Sequence, residues 1–296
     1  MSSKSDTHDA SNYYVPHGSP WPIVGSVAMF TLMIGAVSYL NEWAGGWAFI
    51  PGPLILAFMF FGWFYTLIGE NQKGMYNLQV DKSFRMGMMW FIISEAMLFA
   101  AFFGALFYAR ELAVPWIGGE GVKIFNKLLL YKDFDATWPT NGPARLGGHA
   151  NGDFETIPAF GLPAINTAIL LTSGVTITIA HHALRAGKRN ILVIFQALTF
   201  LLGFLFVYLQ ATEYHEAYTE LGLKLSTGIY GSTFFMLTGF HGMHVTIGAI
   251  MLTVIWFRCL RGHFTPNRHF AFEAVAWYWH FVDVVWLILF VFVYWI

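Results

Sequence analysis

The sequence predicts an all-α, polytopic membrane protein with seven transmembrane helices, and three observations carry that prediction. Apolar residues make up 56% of the chain and charged residues 11%, where an ordinary soluble domain carries about 25% charged. The apolar residues gather in seven runs, each long enough to cross about 30 Å of hydrocarbon as a helix. The stretches between runs hold the Gly, Pro and charged residues that end helices.

Taken in order, residues 1–20 are polar, and the first run, Trp21 to Leu40, follows them with no small-residue cleavage site, so it reads as a retained anchor. The second, Trp47 to Ile68, places Pro51 and Pro53 in its first turns, where a missing N–H is tolerated. The third, Phe84 to Tyr108, contains Glu95. A long connection then runs from Glu111 to Leu162, rich in Gly and Pro around an amphipathic stretch from Val122 to Phe134. It reads as a surface loop with one interfacial helix. Pro163 opens the fourth run, which ends at Leu184 before Gly187, and the fifth spans Ile191 to Thr212. The sixth, Gly228 to Phe257, carries Gly231, Gly239, Gly242 and Gly248, which permit a tight helix pair. The seventh runs from Phe270 to Ile296.

An odd number of spans puts the termini on opposite faces. The N-terminal face collects Lys4, Lys73, Lys82, Arg85, Arg185, Lys188, Arg189, Arg258, Arg261 and Arg268. The other face holds Arg110, Lys123, Lys127, Lys132, Arg145 and Lys224, four of them in the long connection, where charge counts little. The N-terminus is therefore expected on the cytoplasmic side and the C-terminus on the periplasmic side. A net charge of -1 gives no sign of a nucleic-acid partner, and the single cysteine, Cys259, excludes an internal disulfide and Cys-rich metal motifs. No internal repeat or Gly/Pro-broken helix centre marks a carrier.

The chemistry-bearing residues lie inside the apolar runs. Glu95 falls near mid-membrane, with Phe91, Phe99 and Phe102 on its own face at helical spacing. Burial disfavours the charged form of such a carboxyl unless water or a cation reaches it. It is either a proton-handling group or a neutral acid hydrogen-bonded to a neighbouring helix. His241 and His244 are three apart on the sixth helix and project within about 60° of one another. On the seventh, Glu273, Trp277, His280 and Val284 form one stripe, with Asp283 at its edge. Three histidines and a carboxylate could build a metal or haem site. The alternative is a polar seam of interhelical hydrogen bonds, each worth about 0.6–2 kcal/mol in a membrane.

At the cytoplasmic end of the fourth helix, His181 and His182 stand beside Arg185, a cluster suited to headgroups or to buffering protons. Gln210, Glu213, His215 and Glu216 read as a solvated acidic end of the fifth helix. Arg258, Arg261 and Arg268 surround the last cytoplasmic turn, where they suit either an anionic lipid or simple snorkelling.

The strings HGSPWPIVG, FIISEAMLF around Glu95, PAINTAILLTSGVTITIAHHAL, LQATEYHEA and YGSTFFMLTGFHGMHVTIG, together with AWYWHFVDVVW and FVYWI near the C-terminus, closely resemble subunit III of the haem-copper cytochrome c oxidases. The resemblance implies two helices leaning away from the other five across a lipid-filled cleft. It implies a subunit with no catalytic residue, haem or metal of its own, packed on subunit I, with haem a and copper centres in subunits I and II. The role it implies is to bind structural phospholipids, support proton uptake and protect against turnover inactivation. The family's membrane glutamate maps onto Glu95 and its lipid-contacting arginine onto Arg258, with Trp63 and Arg85 as further lipid candidates. His241, His244, Glu273, His280 and Asp283 then form an interhelical polar seam, not a metal site. Two departures from mitochondrial members stand out. Phe64 and Tyr65 follow Trp63 where those carry a WWRD-type segment, and the connection from Glu111 to Leu162 is longer. The second favours a bacterial inner membrane. The rival readings are subunit III of a quinol oxidase, which commonly lacks the first two helices, and an independent proton channel.

Overall fold

A computed structural model describes residues 18–149 and 152–295. The expected polar segment up to residue 17, including Lys4 and the start of HGSPWPIVG, and the terminal Ile296 lie outside the described residues. Within them the chain is all-helical, with seven helices long and apolar enough to cross a membrane. They are α1 (Trp21–Leu40), α2 (Pro51–Gln72), α3 (Leu78–Phe107), α4 (Leu162–Arg185), α5 (Arg189–Thr219), α6 (Gly228–Leu260) and α7 (Phe270–Leu289). α3 continues through a π-helical turn, Tyr108–Ala113, into the short helix Val114–Ile117, and α7 ends in a π-helical turn, Phe290–Trp295.

α3 and α5 outrun their expected ends furthest, for local reasons. α3 begins at Leu78 because Asn77 stands before it and its side-chain oxygen accepts the Val80 N–H at 2.9 Å, an N-cap bond. At its other end the helix tolerates Arg110 and Glu111, which lie 3.3 Å apart as an ion pair. α5 continues past Thr212 to Thr219. Its polar end is not solvated as expected, since Gln210 and Glu213 are buried. The Gln210 amide donates to the Thr238 carbonyl at 3.0 Å, and Tyr294 donates to Glu213 Oε1 at 2.6 Å. The amphipathic stretch of the long connection is helical only in two short pieces, Gly121–Lys123 and Asn126–Leu130.

The chain divides into two compact units, Met1–Met86 and Gly87–Ile296. In the first, α1 and α2 approach closely because Gly62 leaves room for the Trp21 indole, which a Cβ there would strike. The indole N–H then reaches Thr66 Oγ1 at 3.1 Å. In the second unit the core gathers on α7. Trp279 is fully buried, its ring lies against Gly203 of α5 and Gly248 of α6, and its N–H donates to Ser173 Oγ of α4 at 2.8 Å. One side chain thereby touches three neighbouring helices. Trp286 repeats the pattern toward the C-terminal end, donating to Thr167 Oγ1 at 2.9 Å with Phe206 edge-on at 4.7 Å. Such satisfied indoles suit a bilayer, where an unpaired polar group is expensive.

Candidate functional site

The core of the second unit holds a carboxyl and an imidazole from different helices. Glu95 of α3 and His244 of α6 meet with Nε2 of the histidine 2.9 Å from Oε2 of the glutamate. The other ring nitrogen, Nδ1, lies 2.6 Å from the carbonyl of Phe240, one turn back on α6. A carbonyl only accepts, so Nδ1 carries a proton and donates it. The contact between Nε2 and Oε2 then holds a single proton. Either the neutral acid donates to the imidazole, or the imidazolium donates to the carboxylate.

The helical spacing around Glu95 builds the walls of this pair. Phe99 stands edge-on to the His244 ring at 5.1 Å, Phe91 stacks on Tyr278 at 6.1 Å, and Phe102 packs on Phe240 at 4.8 Å. Tyr278 in turn lies parallel to the His244 ring at 6.4 Å. The His244 side chain is 5% exposed and the Glu95 side chain 21%. The imidazole is thus sealed among aromatic rings while the carboxyl keeps one edge toward the surface of the unit.

The remaining seam residues do not join that pair. His241 is fully buried one turn before His244, donating through Nε2 to the Val282 carbonyl at 3.2 Å, with Trp286 and Phe206 beside its ring. His280 and Asp283 make a second acid–imidazole contact, Nδ1 to Oδ2 at 3.5 Å. The hydroxyl of Thr178 donates to the Gly174 carbonyl at 2.9 Å, so it accepts at 3.3 Å from His280 Nε2. Gly174 makes space for Asp283, whose Oδ2 a Cβ at that position would strike. Glu273 lies in the first turn of α7.

The other candidate residues are spread over both units. His181 packs against His269 and Phe272, at ring separations of 5.4 and 5.7 Å, with His182 at 6.5 Å and Arg185 exposed one turn on. Arg258 is buried, its guanidinium 4.5 Å over the Phe264 ring and its Nε and Nη2 without hydrogen-bond partners. In the same turn, burial first, then Arg258 and Arg261, hold the His263 imidazole below its ordinary pKa. In the first unit, Trp63 is exposed beside Phe64, and Arg85 pairs with Asp81 at 2.8 Å. Among the described residues no group of three or more His, Cys, Asp or Glu is arranged to hold a metal ion.

Sequence reasoning found both members of the Glu95 pair but not their pairing, since 149 residues separate them. It missed the burial of Glu213, whose partner Tyr294 lies 81 residues away. The Phe91, Phe99 and Phe102 stripe was the available signal that the face of α3 bearing Glu95 points into protein.

Comparison with known proteins gives a single answer. A family profile described as cytochrome c oxidase subunit III matches residues 11–126 and 139–296. The chain is similar to cytochrome c oxidase subunit 3 of Gadus morhua, 39% identical over 98% of this chain and 98% of that one. It is equally similar to the Dugong dugon protein of that name, with the same identity and coverage. The Struthio camelus protein is 38% identical over 97% of this chain and 98% of its own.

Proposed function

Since the chain belongs to the cytochrome c oxidase subunit III family, we propose that it serves as the non-redox third subunit of a proton-pumping, haem-copper oxidase that takes electrons from cytochrome c. In this reading it stabilises catalytic subunit I, holds structural phospholipids, supports proton uptake and protects the complex during turnover. Haem a and copper reside in subunits I and II. The complex lies in a bacterial inner membrane, with the N-terminus of this chain cytoplasmic.

The observation that carries the reading is the Glu95–His244 contact. An acid and an imidazole share one proton at 2.9 Å inside an apolar helix bundle, and the Glu95 edge stays reachable. Such a pair holds or releases a proton without binding metal or electron carrier, which suits a subunit that supports proton movement and does no redox chemistry itself. Arg258, buried with free guanidinium donors, suits a phosphate headgroup. His181, His182 and Arg185 suit proton collection at the cytoplasmic surface.

A gentle detergent pull-down of the chain, tagged after Ile296, tests the assembly. Haem a bands in the reduced-minus-oxidised spectrum, two larger partner chains and a copper centre in one of them are expected. A colourless chain purifying alone would end this reading in favour of a channel. Partner chains lacking that copper centre would point to a quinol donor. Stripping the chain from the complex is expected to shorten its lifetime during turnover and slow proton uptake, and unchanged values of both would refute the supporting role. An apolar carbodiimide is expected to label Glu95 selectively, with labelling lost in Glu95→Gln.

A further inference from the structure

The long connection after α3 contains a stretch that the helix bundle does not account for, and the family profile covers only its first half. Residues 127–138 fall between the two matched blocks. From Gly121 to Lys132 the sequence is GVKIFNKLLLYK, with three lysines and no acidic residue. Its apolar side chains are exposed. Val122 is 90% exposed, Phe125 66% and Leu129 71%, and Lys123 and Lys127 stand between them in sequence.

Two contacts fix where this stretch lies. α3 and the turns after it make one helical run to Ile117, long and apolar enough to cross a membrane, and the end of this run carries Tyr108 and Trp116, edge-to-face at 6.1 Å. Paired aromatics at a helix end mark the headgroup level. The side chain of Asn126 donates to the Trp116 carbonyl at 3.0 Å, which ties the stretch to that depth.

We propose that the 121–132 stretch lies in the membrane interface, with Val122, Phe125 and Leu129 in the acyl boundary and Lys123 and Lys127 on anionic headgroups. Apolar surface exposed at headgroup depth and flanked by cations has the chemistry of an interfacial lipid contact. This surface is separate from the Glu95 and Arg258 sites and does not depend on their roles.

The test uses the complex purified with its partner chains, carrying a spin label at Phe125→Cys. This position is exposed, and the native Cys259 is buried. In nanodiscs of phosphatidylcholine with phosphatidylglycerol, the label is expected to be accessible to oxygen and shielded from a water-soluble nickel chelate. The shielding should weaken severalfold in pure phosphatidylcholine, and Lys123→Gln with Lys127→Gln should abolish that lipid dependence. A label open to nickel in both bilayers would overturn the proposal. Shielding from both oxygen and nickel would overturn it too, showing a protein partner over the stretch. Insertion indifferent to anionic lipid would overturn the choice of headgroup.

Discussion

The Glu95–His244 and Asp283–His280 pairs bring an acid and an imidazole together in the same bundle, and they differ in how they are closed. In the Glu95–His244 pair the two groups come from α3 and α6 and meet at 2.9 Å, with the imidazole 5% exposed. In the Asp283–His280 pair both come from α7, one turn apart, and stand at 3.5 Å with the imidazole 46% exposed. The acid is the sealed member of the second pair, and its Oδ1 has no partner. The first pair joins two helices and is complete within the chain. The second leaves its imidazole facing outward, so what surrounds the chain governs it. The same chemistry joins two helices directly in one place, and in the other stays on one helix with its imidazole half exposed and bonded on to Thr178 of α4.

The sharpest break in that contrast comes from His244→Leu. It leaves a partly buried carboxyl without its partner, and a loss of about 1–3 kcal/mol is expected in detergent unfolding. The double variant Glu95→Leu with His244→Leu should recover part of this, because both polar groups leave together. Equal losses in the single and double variants would show that the pair is not a coupled unit. Gly174→Ala acts on the other pair alone, since its Cβ meets Asp283 Oδ2. Overpacking of this kind costs about 1–3 kcal/mol, and nitrogen NMR of labelled histidines should show the His280 resonances moving while those of His244 stay. Movement of both would mean that the pairs communicate. The smallest effect belongs to His280→Ala in the isolated chain, a loss of about 1 kcal/mol, because its contact with the buried Asp283 is long, at 3.5 Å. A loss as large as that of His244→Leu would erase the distinction.

Much of this architecture was legible because a bilayer leaves few solutions. Each of the seven apolar runs had to become a helix whose backbone satisfies itself. Composition also placed Glu95, His241, His244, His280 and Asp283 inside the spans. What could not be read was which of them meet. His241 and His244 are neighbours in sequence and project on similar sides of α6, yet one faces Val282 of α7 and the other Glu95 of α3. That choice is set by helix rotation and packing, through Gly203 and Gly248 around Trp279, and not by spacing along one helix. Helix ends failed for a related reason. A run such as QATEYHEAYT looks wet until Tyr294 and Thr238 arrive from distant sequence to satisfy it.

The fixed donor at His244 Nδ1 has an electrical consequence. Because the Phe240 carbonyl holds that proton, transfer within the pair takes the one shared with Glu95 only between two atoms 2.9 Å apart. The sum of charges on the pair is the same in either position. A hop of that length spans at most about a tenth of a hydrocarbon layer of about 30 Å. A membrane voltage of about 100 mV acts on one elementary charge crossing the whole layer with about 2.3 kcal/mol, so it biases this hop by no more than about 0.2 kcal/mol. The balance between the two positions is therefore set by the aromatic walls and by whatever reaches the open edge of Glu95, and it stays nearly blind to the voltage of the membrane around it.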